Sequence, residues 1–80
     1  MANLSVLVGE RIRSQRKQLE INQEKLALIA DIDRSYMGRI ERGEVNITLD
    51  KLYRLCAVLQ CEAADLLPLR ADLDDGKWWE

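Results

Sequence analysis

The chain has 80 residues, 48% of them apolar, and a formal net charge of −2, which accommodates one small domain and excludes two. No run of 18 or more apolar residues occurs, which excludes a membrane-spanning helix, and Met1 to Val8 lack the basic segment and long apolar run of a secretion signal. A cytoplasmic protein with no membrane partner is expected.

Apolar residues recur at intervals of three and four, and strict alternation never persists, which predicts an all-α fold, a compact five-helix bundle. A first helix is expected from about Ser5 to Leu19, with Val8, Ile12 and Leu19 inward and Glu10, Arg13, Ser14 and Lys17 toward water. Asn22 suits the cap of a second helix, Gln23 to Ala30, whose Leu26, Ala27, Ile29 and Ala30 point inward. Asp33 offers the cap of a third, from Arg34 to about Arg42, ended by Gly43. After a loop, Thr48 caps a fourth helix with Asp50 and Lys51 in its first turn and Leu52, Leu55, Cys56 and Leu59 as its buried stripe. A short fifth helix, about Glu62 to Leu67, stops before Pro68. Residues 1–68 form the predicted domain. Residues 69–80, LRADLDDGKWWE, show no periodicity and are expected to be an acidic, mobile tail.

The second and third helices, joined by a corner of two or three residues, have the spacing of a helix-turn-helix, in which the second helix is presented to the major groove. Crossing that closely requires a small residue inside the first helix, which Ala27 supplies. The corner requires a left-handed backbone, and there Asp31 replaces the usual glycine at a cost of order 1 kcal/mol. Leu26, Ala30, Ile32, Met37 and Ile40 fill the interior of the unit, leaving Arg34, Ser35, Tyr36, Gly38, Arg39 and Arg42 outside.

The net charge conceals two regions. Residues 1–61 carry ten basic and eight acidic side chains, whereas residues 62–80 carry two basic and six acidic. Asp65, Asp72, Asp74 and Asp75 would then lie away from DNA, leaving a modest basic face between Arg11 and Arg42. On that face Gln23, at a helix N-terminus, can donate its amide to a phosphate. Arg34 and Ser35 occupy the turn that reaches base edges, where arginine can bond guanine O6 and N7 together. Tyr36 reads either as a base or phosphate contact or as half-buried core, and Arg39, one turn beyond Ser35, as a base contact or a surface cation. Lys17 is a candidate for phosphate.

The segments NQEKLA, IDRSYMGRIERG and NITLDKLYRLCAVL, in this order and spacing, resemble the phage-repressor/Cro-like (Xre) helix-turn-helix family over residues 8–67. Within it, DRSYMGRIERG followed by NITL is most similar to the controller proteins of bacterial restriction–modification systems. The resemblance implies a lambda-repressor-like DNA-binding domain, backbone contacts from Arg42, Asn46 and Thr48, and a structural ion pair between Arg16 and Glu41. Departures from the family pattern are Glu20 and Asp31, where glycine is usual, and Gly38, where serine is usual.

One short helix presented by a monomer would bind too weakly to be selective, so a homodimer on a roughly two-fold symmetric operator is expected. Leu59, Ala63, Leu66, Leu67 and Leu69 are its candidate interface, the alternative being that all are internal core. Without histidine, and with only Cys56 and Cys61, the chain carries no common zinc pattern, no phosphate-cradling glycine loop and no catalytic constellation. No enzyme activity, metal or cofactor is expected, and the two thiols are expected to remain free. The expected function is sequence-specific double-stranded DNA-binding transcriptional regulation. The alternative is an antitoxin or other interaction module, with a toxin or RNA polymerase as the further partner and the Trp78-Trp79 tail as its docking element.

Overall fold

The computed structural model describes residues 3–73, and all regular structure among them is helical. The helices are α1 (Leu4–Gln18), α2 (Gln23–Ala30), α3 (Arg34–Glu41), α4 (Leu49–Leu59) and α5 (Ala63–Leu66), followed by one 3-10 turn, Arg70–Asp72. Their starts are set locally by side-chain oxygens that accept otherwise orphaned backbone N–H groups. Asn22 Oδ1 accepts from Lys25 at 2.7 Å, Asp33 Oδ2 from Tyr36 at 3.1 Å and Thr48 Oγ1 from Lys51 at 3.2 Å. These are the predicted caps. The first helix begins one residue earlier than expected, because Asn3 Oδ1 accepts from Val6 at 2.9 Å.

The helix ends share one device. Glu20, Asp31, Gly43 and Gln60, with φ of 58°, 55°, 74° and 57°, follow α1 to α4 in left-handed conformation. In each case the next residue donates its N–H to the carbonyl five residues back, as Ile32 does to Ala27 at 2.9 Å and Glu44 to Arg39 at 2.9 Å. Only one of the four is glycine. At Asp31 the strained corner is held from outside: Arg54 Nη1 donates to the carbonyls of Ala30 and Asp31 at 3.1 and 3.0 Å while its guanidinium pairs with Asp50. Gly43 has a second reason to lack a side chain, since a Cβ there would lie 2.6 Å from Val6 Cα.

The core is a continuous cluster to which α1 contributes Val8 and Ile12, α2 Leu26, Ala27 and Ala30, α3 Met37 and Ile40, and α4 Leu52, Leu55, Cys56 and Leu59. α1 packs across α3, α2 lies against α3 and α4, and α5 closes the bundle against α1 and α4. The α1–α3 approach depends on Gly9, where an added Cβ would meet the carbonyl oxygen of Ile40 at 2.5 Å.

Three residues depart from the predicted burial. Leu19 is exposed, because α1 has already ended and the left-handed Glu20 turns the chain so that Ile21 packs on the core instead. Ile29 is exposed because the small residues Ala27 and Ala30 let α2 sit close on a narrow stripe, leaving Ile29 and Leu28 on its outer side. Gly38, expected to be available to the outside, lies on the outward side of α3 but is buried there beneath the side chains of Arg42 and Gln23. Of the stretch expected to be a tail, Leu69 is exposed and Leu73 is buried after the 3-10 turn; Asp74, Asp75, Trp78 and Trp79 lie outside the described residues.

Candidate nucleic-acid interface

Capping by Asp33 starts α3 at Arg34, which places Arg34 and Ser35 in its exposed first turn. Together with Gln23, Asp33, Gly38 and Arg42 they line one shallow hollow between the start of α2 and the outer face of α3. Gly38 makes this convergence possible. A Cβ at that position would come within 3.0 Å of Arg42 Nη1 and 3.3 Å of Gln23 Oε1, so the absent side chain leaves room for Arg42 to lie back over α3 toward Gln23.

The hollow rests on a buried charged pair. Arg16 Nε and Nη2 donate to the two carboxylate oxygens of Glu41 at 2.8 and 3.0 Å, and Arg16 Nη1 donates to the Ile21 carbonyl at 3.0 Å. Glu41 is only 8% exposed. The expected pair is therefore present, and it is bidentate, the geometry that best offsets desolvation of both charges. Gln23 joins it: its Nε2 donates to Glu41 Oε1 at 3.2 Å, so one N–H of the amide expected to meet phosphate is engaged internally.

The arginines of the outer face are paired with carboxylates. Arg34 Nε lies 3.4 Å from Glu24 Oε2. Arg42 Nε donates to Glu44 Oε2 at 2.7 Å, and Arg39 Nε lies 3.8 Å from Glu44 Oε1. The hydrogen bond to Arg42 holds the Glu44 carboxyl below its usual range, and Glu44 in turn raises Arg42. Tyr36 is half-buried against the core, its ring 5.4 Å from the Lys51 ammonium in the first turn of α4, a cation–π arrangement across the two helices.

The remaining expected backbone contacts fall outside the hollow. Lys17 is exposed in the last turn of α1. Asn46 Oδ1 accepts from Ser5 Oγ at 2.7 Å, tying the loop to α1, and Thr48 is engaged as a helix cap. Arg13, on the same helix, instead lines a second hollow with Arg16, Gln23, Glu41 and Arg42, the Gln23 and Arg42 side chains being shared with the first. Its spacing of three before Arg16 was the available signal, since residues three apart share a helix flank. Lys51 had no such signal, because it meets Tyr36 only through the fold; for Glu44 the signal was its place two residues after Arg42.

Leu59 and Leu66 are 1% and 0% exposed inside the protomer, so neither can face a second copy, which corrects their assignment to the dimer surface. Ala63 is half-buried, whereas Leu67 and Leu69 are 40% and 71% exposed. Leu67 borders an apolar groove of about 290 Å³ that also includes Leu4, Val45, Ile47 and Leu49. Exposed Tyr53 stands one turn along α4 from Leu49.

A helix-turn-helix family model matches residues 12–66. The control protein C.BamHI of Bacillus amyloliquefaciens is 36% identical over 66 residues, covering 81% of this chain and 82% of that protein. Among solved structures, the restriction-modification controller protein C.AhdI of Aeromonas hydrophila aligns with a TM-score of 0.75 at 37% identity, covering 78% of this chain and 94% of that one. The P22 c2 repressor in complex with a synthetic operator aligns at 0.71 with 36% identity, covering 76% and 92%.

Proposed function

The chain belongs to the helix-turn-helix family, and from that premise we propose that it is a sequence-specific double-stranded DNA-binding transcriptional regulator. It acts as a homodimer on a roughly two-fold symmetric operator, in the manner of a restriction–modification controller. The observation that carries this reading is the hollow in which Arg34, Ser35, Gln23 and Arg42 converge on one exposed side of α3. An eight-residue helix is about 12 Å long, comparable with the major-groove width. Arg34 and Ser35 lead into the groove, while Arg42, Arg13 and Gln23 face the flanking phosphates, a division between reading and positioning that such sites use. In this reading the homodimer closes through the exposed Leu49, Tyr53, Leu67 and Leu69, and its two recognition helices must lie about 34 Å apart to meet successive turns of the groove.

Selection of binding sites from a random-duplex pool, followed by titration of the winner and a scrambled duplex at two salt concentrations, tests the proposal. A symmetric consensus bound at least ~10³-fold more tightly than scrambled DNA supports it. Weak, sequence-blind binding that vanishes with salt would overturn it.

A further inference from the structure

Building on the DNA-binding reading above, we propose that Glu44 is an affinity-limiting counter-ion, a carboxylate that DNA phosphate must displace from Arg42 and Arg39 before the recognition face can engage.

The position of this acid is set by the fold. Glu44 follows the left-handed Gly43, and its N–H is bonded to the Arg39 carbonyl at 2.9 Å. Gly43 is pressed against Val6 of α1, so the loop cannot carry Glu44 away without opening that contact. In this type of helix end the residues five apart face one another, which brings Glu44 to Arg39 at 3.8 Å. A carboxylate at a helix C-terminus is opposed by the helix dipole. Two arginines offset that opposition here. Arg42 presents Nε at 2.7 Å and Nη2 at 3.4 Å to the two carboxylate oxygens, so the guanidinium edge suited to grip a phosphate bidentately is occupied. Its Nη1 is left beside Gly38, in the hollow with Arg34 and Ser35.

Engaging DNA therefore exchanges one anion for another at Arg42 and brings phosphate charge toward Glu44. Phosphates carry no sequence information, so the exchange weakens binding to every duplex by the same factor. Affinity is held down while selectivity is untouched. Arg34 meets Glu24 by a single longer contact of 3.4 Å with both side chains 70% exposed, a weaker version of the same arrangement.

The test compares the wild type, Glu44→Gln and Glu10→Gln, the last being the same charge change on α1 outside the hollow. Each is titrated with the selected duplex and with scrambled DNA between about 50 and 200 mM salt. Glu44→Gln is expected to bind both duplexes about three- to fivefold more tightly at low salt, with an unchanged ratio between them. Its salt slope should steepen by up to about 0.9, and Glu10→Gln should fall well short of both effects. A Glu44→Gln protein that matches Glu10→Gln overturns the inference, as does one that binds more weakly, since the carboxylate would then be presetting Arg42 for DNA. A selective wild type with an unresponsive Glu44→Gln refutes this inference alone, whereas a wild type without sequence preference removes the DNA-binding reading and the inference together.

Discussion

Arg16 and Glu41 lie 25 positions apart in sequence, and their two parallel hydrogen bonds, at 2.8 and 3.0 Å, join α1 to the end of the recognition helix. Because Glu41 is nearly enclosed, removing its partner strands a charge. Arg16→Ala should cost about 3–5 kcal/mol in urea unfolding. The double change Arg16→Met with Glu41→Leu should cost clearly less, since no unpaired charge remains; equal losses would show that the pair contributes packing alone.

Arg34 and Lys17 should respond in different ways. Arg34→Ala is expected to lower affinity for the selected duplex by about 1–3 kcal/mol and to affect scrambled DNA far less. Lys17→Ala should weaken both alike or, being outside the hollow, neither. Anisotropy titrations would decide, and a uniform loss in Arg34→Ala would remove it from base reading.

The left-handed helix ends are a source of extra stability. Glu20→Gly and Gln60→Gly relieve a side chain held at φ of 58° and 57° and should each stabilise by roughly 0.5–1 kcal/mol after the unfolded-state entropy of glycine is counted. Gly43→Ala should do the reverse by more than ~1 kcal/mol, combining positive φ with a collision at Val6. Thermal melts followed by circular dichroism measure all three.

Cys56 and Cys61 are free, and both titrate high because burial disfavours the thiolate, Cys61 reaching about 11. At neutral pH the native protein should therefore react with iodoacetamide much more slowly than a model thiol titrating near ~8.5. The thiol form is favoured by folding, so this contribution to stability is complete below about 8.5 and is lost as pH rises toward 11. Native labelling at the unfolded rate at pH 7 would contradict the burial argument.

Leu67→Asp with Leu69→Asp should weaken self-association without unfolding the protomer, because both side chains are exposed. Sedimentation would show a larger monomer fraction, and operator affinity should become steeply dependent on protein concentration. Leu66→Asp, which is wholly enclosed, should instead unfold the protomer.

Much of this molecule was legible in its sequence because the determining interactions are local. Asn22, Asp33 and Thr48 cap their helices through residues three positions ahead. The small Ala27 and the left-handed Asp31 follow from how closely two short helices must cross. Facing went wrong at Ile29 and Leu19, where the width of the buried stripe depends on which neighbour the helix meets, while Gly38 faces outward as expected but is covered by Gln23 of α2 and by Arg42 at the end of its own helix. Leu59 and Leu66 had the pattern of apolar residues available to either a core or a partner, and only the packing of α4 and α5 on each other and on α1 assigned them to the core.

The sequence by itself determined the helices, their caps and the helix-turn-helix spacing, because those depend on hydrogen bonds and periodicities within a few residues. Tertiary structure alone decided how the charges combine: Gln23 sharing Glu41 with Arg16, Lys51 over Tyr36, and Arg13 lining the second hollow beside Arg16 and Arg42. Charged side chains can choose among several partners of similar energy, and the choice is made by which helices the core has already brought together.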